Sequence, residues 1–391
     1  MADYVHDPLR ELTEIRNQLS YTKRLGFLFG AGTSKAMGIS DINALTKKIE
    51  ESLDATNKAF FSTVKASLDA DQQHIEAILN QIRLIRQITS DKKAKVYEGI
   101  TGEDAKKLDK TICDSIYKII STEEEGANVS IARKFISWLN WMSRDFVKEI
   151  FTTNYDMILE KSFENLLIPF YDGFVGSFEP FFAHETLDSK SRFDKPPVSW
   201  IRIWKLHGSL GWFWKLNEDK KTYRVIRLSS GAKDKYPDSE LVIYPSRDKY
   251  ESSRKQPFTS YFDRLKESLI SGEGIFIISG YSFSDEHVNE VIFNGLNQNN
   301  RLHIIAFFYA DEPLDNLVKH TKNVPNFTLI GPTKASISGM YGKWTLAKDG
   351  ELVDPFWDKT NSKLKLGDFK ELVNFLILSS GLKDKIDTHV K

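Results

Sequence analysis

The chain has 391 residues, enough to bury a large core in one domain with an insertion or in two domains. It carries 54 lysines and arginines against 54 aspartates and glutamates, so its bulk charge does not indicate nucleic acid or an anionic membrane as the main partner. The single cysteine, Cys113, excludes an intramolecular disulfide and a zinc site of several thiolates, and it fits a reducing cytoplasmic location.

The N-terminal region is predicted to be an amphipathic helix rather than a targeting segment. Residues 1–10 are polar and charged, and the sequence has no apolar run of about 18 residues, so neither a signal peptide nor a membrane span is expected. Leucine and isoleucine recur at spacings of three and four through residues 8–21, which predicts one apolar helix face.

A glycine turn follows the first predicted strand. The apolar residues 27–29 lead into Gly30-Ala31-Gly32-Thr33-Ser34, where glycines allow a tight turn and the hydroxyls can cap a following helix that binds an anion. Lys35 stands where the dinucleotide fingerprint has a small residue, so this is not the standard Rossmann pattern. Taken alone, the turn fits a ligand-free strand-to-helix connection equally well.

Residues 57–144 are predicted to form a helical insertion, because they separate the first strand from the second by far more than an ordinary connection. Apolar residues form helical stripes at 75–88 and at 135–142. His74 and Glu76 match a fragment of the zinc deaminase motif, but the cysteine pair that this motif needs is absent. They are therefore predicted to lie on a helix surface.

Five further apolar runs are predicted strands, at residues 146–151, 200–206, 275–278, 302–308 and 327–330. Their alternation with helices predicts an α/β fold, a Rossmann-like parallel sheet with helices on both faces and an inserted helical subdomain. Ligands of such sheets bind outside the carboxyl ends of the strands. Small, polar or titratable residues follow four of the strands, at 30–34, 152–156, 207–209 and 279–285, which predicts one dinucleotide-sized pocket.

These segments resemble, in order, the motifs of the sirtuin superfamily. The resembling segments are Gly30-Ala31-Gly32-Thr33-Ser34, Ala36-Met37-Gly38-Ile39-Ser40-Asp41, Thr152-Thr153-Asn154-Tyr155-Asp156, Leu206-His207-Gly208-Ser209 and Gly280-Tyr281-Ser282. The resemblance covers roughly residues 22–50 and 145–335. It implies a discontinuous NAD-binding core at residues 1–56 and 145–335, the helical insertion at 57–144, and a C-terminal extension at 336–391.

The resemblance also implies roles for individual residues. Asn154 would position a water or a ribose hydroxyl, His207 would act as general base, and Asp156 would contact the nicotinamide carboxamide. The expected NAD-binding residues are Gly30, Ala31, Gly32, Thr33, Ser34, Asp41, Thr153, Asp156, Gly280 and Ser282. Two alternatives remain: Asn154 and Asp156 as helix caps, and His207 as a core histidine bonded to a backbone carbonyl.

Two departures from the family pattern bear on the activity. Deacylating sirtuins carry a four-cysteine zinc ribbon after the His-Gly element, whereas Gly211-Trp212-Phe213-Trp214 and the hairpin-like stretch to Ser246 contain no cysteine, so no zinc ribbon and no metal are expected. Ile42-Asn43 replaces the Phe-Arg that sirtuins use in the nicotinamide step. With these departures the chain resembles the sirtuin-like NAD hydrolases of prokaryotic antiphage systems. Among these, its length, its single catalytic module and the element Ser279-Gly280-Tyr281-Ser282-Phe283-Ser284-Asp285-Glu286-His287 resemble the subunit that pairs with a HerA-type hexameric ATPase.

The expected function is therefore hydrolysis of NAD to nicotinamide and ADP-ribose, which depletes NAD in antiviral defence. The expected assembly is a cytoplasmic homo-oligomer regulated by the ATPase, with no direct nucleic-acid binding and no membrane. No arginine near the glycine turn is placed for a 2′-phosphate, which favours NAD over NADP. The alternatives are a zinc-free protein deacylase or ADP-ribosyl transferase, and a non-catalytic sensor of NAD or ADP-ribose.

Overall fold

A computed structural model describes residues 4–142, 146–187, 195–217, 222–229, 240–243, 256–322 and 324–390. The helices of these ranges are α1 (Pro8–Tyr21), α2 (Ala31–Lys35), α3 (Ile42–Ser52), α4 (Ala55–Ala66), α5 (Ile75–Thr89), α6 (Gly102–Gly126), α7 (Ser130–Trp141), α8 (Ile158–Asn165), α9 (Phe258–Ile270), α10 (Glu286–Gln298), α11 (Asp311–Thr321), α12 (Phe369–Ser380) and α13 (Lys383–Val390). The strands are β1 (Tyr4–His6), β2 (Leu25–Phe29), β3 (Val96–Tyr97), β4 (Ile100–Thr101), β5 (Glu149–Thr152), β6 (Phe170–Tyr171), β7 (Phe174–Val175), β8 (Phe181–Phe182), β9 (Ile201–Lys205), β10 (Gly208–Leu216), β11 (Tyr223–Arg227), β12 (Glu240–Ile243), β13 (Gly274–Ser279), β14 (Leu302–Phe307), β15 (Phe327–Ile330), β16 (Lys334–Ile337), β17 (Met340–Trp344), β18 (Trp357–Asp358) and β19 (Lys363–Leu364).

The main sheet has the strand order β1-β17-β16-β15-β14-β13-β2-β5-β9-β6. Its strands from β15 to β6 run parallel, whereas β16 and β17 form an antiparallel edge that β1 extends. From β2 the chain builds the sheet outward through β5 and β9, and then fills the other side of β2 with β13, β14 and β15. The topological switch point therefore lies between β2 and β13. The predicted parallel α/β sheet is confirmed.

Helices cover both faces of the parallel strands, because successive side chains of a strand point to opposite faces. Phe27 and Phe29 of β2 enter a core shared with α1, α7 and α12, whereas Leu28 enters a second core with α9, α10 and α11. Phe135 of α7 packs edge-on against Phe27 at a ring distance of 5.0 Å. The apolar alternation of β2 thus fixes the position of the glycine turn that follows it.

Helices α4 to α7 and the short β3–β4 hairpin lie between β2 and β5 in the chain. Helix α5 is joined to α6 by a buried ion-pair network in which Arg83 and Arg86 bind Asp109, at 3.3 and 2.6 Å. The domain boundaries at residues 57, 144 and 336 remain predictions, and the last falls within β16. Among the described helices, none combines the length and apolar character needed to cross a membrane.

A second, five-stranded sheet of order β12-β10-β11-β8-β7 follows β9. Trp212 of β10 is buried between the rings of Phe174 and Tyr261, at 5.2 and 5.5 Å, so it packs in a core. Of the hairpin-like stretch predicted after this tryptophan, residues 218–221, 230–239 and 244–246 lie outside the described residues.

Candidate active site

A cavity of about 290 Å³ opens at the carboxyl ends of β2, β5, β9 and β13, beside the switch point. Glu76 and Ile120 of the helical insertion complete its wall. The predicted site residues that line it are Ala31, Gly32, Ser34, Asp41, Thr153, Asn154, Asp156, His207, Gly280 and Ser282. Gly30 and Thr33 are buried behind the lining. The strand ends selected from sequence therefore come together at one place.

The glycines of the turn join the ends of β2 and β13. The Gly30 N–H donates to Ser279 O at 3.0 Å, and the Gly32 N–H donates to Gly280 O at 2.9 Å. A Cβ atom on Gly30 would lie 2.5 Å from Gly280 O, and one on Gly32 would lie 2.7 Å from Gly280 Cα, so only glycine fits. Because these two amides already bind protein carbonyls, a phosphate at the turn would have to accept hydrogen bonds from other donors of the turn.

Asn154 fastens the end of β5 to this turn. Its Nδ2 donates to Gly30 O, Thr33 Oγ1 and Ser34 Oγ at 3.0, 3.0 and 2.8 Å. The Ser34 hydroxyl donates in turn to Asp156 Oδ2 at 2.5 Å. While these bonds are held, the Asn154 amide offers a ligand its oxygen rather than its nitrogen.

Asp156 binds the start of a helix as well as Ser34 in the cavity wall. Its Oδ1 accepts the backbone N–H of the first residue of α8 at 3.2 Å, which is a helix-capping contact. Buried Lys205 donates to the Asp156 carbonyl and, at 2.8 Å, to Glu160 Oε1. Glu124 of α6 accepts the Met157 N–H at 2.6 Å. Residues 156–160 are thus bound both by Lys205 of the sheet and by Glu124 of the insertion.

His207 forms a pair with Asp285. His207 Nε2 lies 2.8 Å from Asp285 Oδ2, and Asp285 also caps α10 by accepting the His287 and Val288 N–H groups at 2.8 and 3.1 Å. The partner of His207 Nε2 is therefore a carboxylate, not the backbone carbonyl that one reading of the sequence allowed. When Nε2–H donates to Asp285, Nδ1 is the nitrogen that carries the basic lone pair.

The two charges of this pair shift each other's pKa. Burial lowers the pKa of His207, but the Asp285 hydrogen bond and the negative charges of Glu76 and Asp285 outweigh burial, so the pKa rises above its ordinary value of 6.5. Burial raises the pKa of Asp285, but His207 and the two capping amides outweigh it, so that pKa falls below 3.8. A histidine of raised pKa thus lines the cavity.

Asp41 caps α3 at the rim of the cavity. It accepts the Ala44 N–H at 2.9 Å and pairs with Lys35 at 2.8 Å. The capping amide, followed by Lys35, lowers the pKa of Asp41. Lys35, which breaks the dinucleotide pattern in the sequence, is therefore an exposed ion-pair partner of a cavity residue.

Two acidic residues that line the cavity, Glu76 and Asp285, are absent from the set predicted from sequence. Asp285 stands in a helix-capping pattern, and its second partner is 78 residues away in the chain. Glu76 stands on a helix of the insertion, where the strand-end rule gives no signal. Tyr281 Oη, 2.9 Å from Asn289 Oδ1 and 3.1 Å from Asp285 O, supports the same loop.

The residues do not fit a thiolate zinc site. The chain has one cysteine, and Cys113 is buried in α6, where burial and Asp109 raise the pKa of its thiol to about 12. Within the described ranges, no cluster of three or more histidine, cysteine, aspartate or glutamate side chains is placed to hold a metal.

Part of the chain is similar to a known protein family. Residues 148–326 match the SIR2-like domain. The SIR2-like segment contains Asn154, His207 and Asp285, whereas the glycine turn and Glu76 lie outside it. A search of curated proteins found no match to the chain.

Several sirtuins are among the solved structures that match this chain. One, from work on the structural basis for the mechanism and regulation of Sir2 enzymes, is 12% identical, has a TM-score of 0.44 and covers 96% of this chain and 98% of its own. A Sir2 homologue in complex with NAD is 10% identical, with a TM-score of 0.42 and coverages of 98% and 97%. Sir2Tm bound to a propionylated peptide is 10% identical, with a TM-score of 0.41 and coverages of 95% and 99%.

Proposed function

We propose that this protein is an NAD glycohydrolase, which converts NAD and water to nicotinamide and ADP-ribose. The observation that carries the proposal is the single cavity in which Asn154, Ser34 and the His207–Asp285 pair meet at the switch point of a SIR2-like domain. A switch-point crevice is where doubly wound sheets bind dinucleotides.

The reaction needs a base more than an acid. As the bond between C1′ and the ring nitrogen breaks, its electron pair neutralises the nicotinamide ring, and positive charge develops on the ribose as in glycoside hydrolysis. Water then forms a bond to C1′ and loses a proton, for which the His207 imidazole is the proposed acceptor, and Asp285 stabilises the imidazolium that results. The leaving group is neutral and requires little protonation.

The other predicted residues would orient the substrate. The Asn154 oxygen would bind the ribose hydroxyl or the attacking water, since its nitrogen holds the glycine turn. Asp156 would contact the carboxamide of nicotinamide, and residues 30–34, Asp41, Thr153, Gly280 and Ser282 would hold the rest of NAD. Holding NAD in a fixed orientation would raise the rate of its hydrolysis.

We also propose a cytoplasmic homo-oligomer that depletes NAD in antiviral defence under the control of a HerA-type hexameric ATPase. The missing ribbon cysteines and Ile42-Asn43 in place of Phe-Arg support the hydrolysis of NAD. The resemblance of the 279–287 element, the length and the single catalytic module support the ATPase partner. Asn43 lines the cavity at the position where sirtuins carry the arginine.

The test is to incubate purified protein with NAD, with and without the ATPase, and to measure nicotinamide and every ADP-ribose product. Equal amounts of nicotinamide and free ADP-ribose are expected. O-acyl-ADP-ribose or a modified protein would instead identify a deacylase or transferase, and tight NAD binding without turnover a sensor. Absence of nicotinamide release under every activating condition would contradict the proposal.

A further inference from the structure

Glu76 reaches the cavity from outside the SIR2-like segment. It is the second residue of α5, and its half-buried side chain lines the same cavity as His207 and Asp285. The start of α5 is well fixed, because the Ile75 N–H donates to Thr46 Oγ1 of α3 at 2.9 Å and Ile75 is fully buried. The structure therefore holds a carboxylate of the insertion at a defined place in the cavity wall.

The charge of Glu76 acts on two side chains that line the cavity with it. It contributes to the raised pKa of His207 and to the raised pKa of Tyr281, in both cases together with Asp285. These effects require Glu76 to lie near the imidazole that we propose as the base. Glu76 thus lines the same cavity as the imidazole and carries a charge that acts on it.

We propose that Glu76 is a catalytic residue, a carboxylate supplied by the helical insertion that stabilises the positive charge developing on the nicotinamide ribose. This inference rests on the proposed NAD hydrolysis. In NAD the positive charge lies on the nicotinamide ring, and it moves to C1′ and the ring oxygen of the ribose as the bond breaks. A carboxylate beside the base is therefore better placed for the transition state than for the bound substrate, which is the condition for raising kcat.

A purely structural role for Glu76 predicts something different. Acidic residues are favoured in the first turn of any helix, so Glu76 could serve only the end of α5. Glu103 provides a matched control, because it is the second residue of α6 in the same insertion and pairs with Lys107 at 3.0 Å. It does not belong to the lining of the cavity.

The experiment compares Glu76→Gln, Glu76→Asp and Glu103→Gln in the full chain, with any activating ATPase present. Nicotinamide release is measured over a range of NAD concentrations, and thermal unfolding is measured in parallel. Loss of the charge in Glu76→Gln is expected to lower kcat by about 10- to 100-fold with KM changed by less than about threefold. Glu76→Asp should retain more activity than Glu76→Gln, and Glu103→Gln should equal the wild type.

The outcomes separate this inference from the function on which it rests. Wild-type kcat in folded Glu76→Gln, or a rise in KM with kcat unchanged, would overturn the role of Glu76 and leave NAD hydrolysis standing. Equal losses in Glu76→Gln and Glu103→Gln would show a helix-end effect and would also overturn it. A wild-type protein with no nicotinamide release would remove both.

Discussion

Buried charges occur at both ends of the parallel sheet, but they face different surroundings. Near the amino end, Glu149 Oε1 accepts from Trp204 Nε1 at 2.9 Å and from Arg264 at 2.8 Å, which ties β5 to β9 and α9. At the carboxyl end, His207 and Asp285 are paired at 2.8 Å and also line a cavity. The first network joins protein to protein, whereas the second also borders a cavity.

This contrast indicates how to separate structural from functional charges of the same chemical type. Removing one partner of a buried pair leaves the other charge unsatisfied, so the Glu149 network should affect stability most. Substitutions of groups around the cavity should affect the reaction rate most, because these groups are proposed to orient the substrate and to accept a proton. Substitutions at the two ends therefore test the contrast directly.

The largest expected effect is at His207. Replacing it with alanine removes the proposed base, and we predict a fall in kcat for nicotinamide release of roughly 10²- to 10⁴-fold. The fold should survive, since Asp285 keeps its two capping N–H donors on α10. Steady-state assays with circular dichroism as a check of folding measure both properties. Undiminished release by folded His207→Ala would contradict the proposed site.

Glu149→Gln should have the opposite signature. The substitution keeps the size of a buried side chain but removes the charge that Arg264 binds, so we predict a loss of unfolding free energy of roughly 1–3 kcal/mol. The kcat per folded molecule should stay within about twofold of the wild type. Urea unfolding and an assay at a temperature where both proteins are folded provide the comparison. A large loss of kcat in folded Glu149→Gln would remove the distinction between the two ends.

The sequence predicts well which residues lie at the carboxyl ends of the strands, because this prediction depends only on short segments of the chain. Each parallel strand is an apolar run, and the residue that follows the run must lie at the same edge of the sheet. Asn154, His207 and Gly280 could therefore be placed together without knowledge of their contacts. The helix at residues 8–21 and the strand at 327–330 were predictable for the same reason, since their periodicity is complete within the segment.

The remaining features depend on contacts between distant segments. Asp285 and His207 are 78 residues apart in the chain. An aspartate at the start of α10 is already explained by helix capping, so the sequence gives no sign of its second partner. Glu76 lies in a helical pattern whose packing on α3 and α6 decides what it faces. Strand β6 has only two residues, too few for an alternating pattern. Sequence periodicity carries no information about such partners.

The pH dependence gives a smaller effect that sharpens the contrast. Catalysis by neutral His207 should increase as pH rises through a pKa that lies above 6.5, because Asp285 and Glu76 favour the imidazolium. Asp285→Asn removes the paired charge, so the midpoint of the rising limb should move to lower pH. Profiles of kcat/KM for both proteins test this, and an unchanged midpoint would show that Asp285 does not control the base.

The same pair should contribute to stability within a limited pH window. The raised pKa of His207 gives stability that is present below about 6.5 and lost as pH rises through the folded value. The lowered pKa of Asp285 gives stability that is present above 3.8 and lost as pH falls through its folded value. Wild type and Asp285→Asn should therefore differ most in unfolding free energy between about pH 4 and 6.5. Urea titrations at pH 5 and pH 9 measure the change.

The smallest effect separates helix capping from ligand binding at the cavity rim. Asp41 and Asp54 cap successive helices, and both accept a backbone N–H, at 2.9 Å and 3.0 Å. Asp41→Ala should cost about 1 kcal/mol of stability, mostly from the lost cap, since its exposed pair with Lys35 adds little. Asp54→Ala should also lower stability.

Of these two capping residues, only Asp41 lines the cavity, so only Asp41→Ala should raise the KM for NAD. An effect of a few-fold is expected, because a rim contact that acts equally on substrate and transition state changes KM without changing kcat. Equal KM values in the two variants would assign Asp41 to the fold alone, in the same class as the charges at the amino end of the sheet. A raised KM restricted to Asp41→Ala would extend the ligand-facing surface from the strand ends to the first turn of α3.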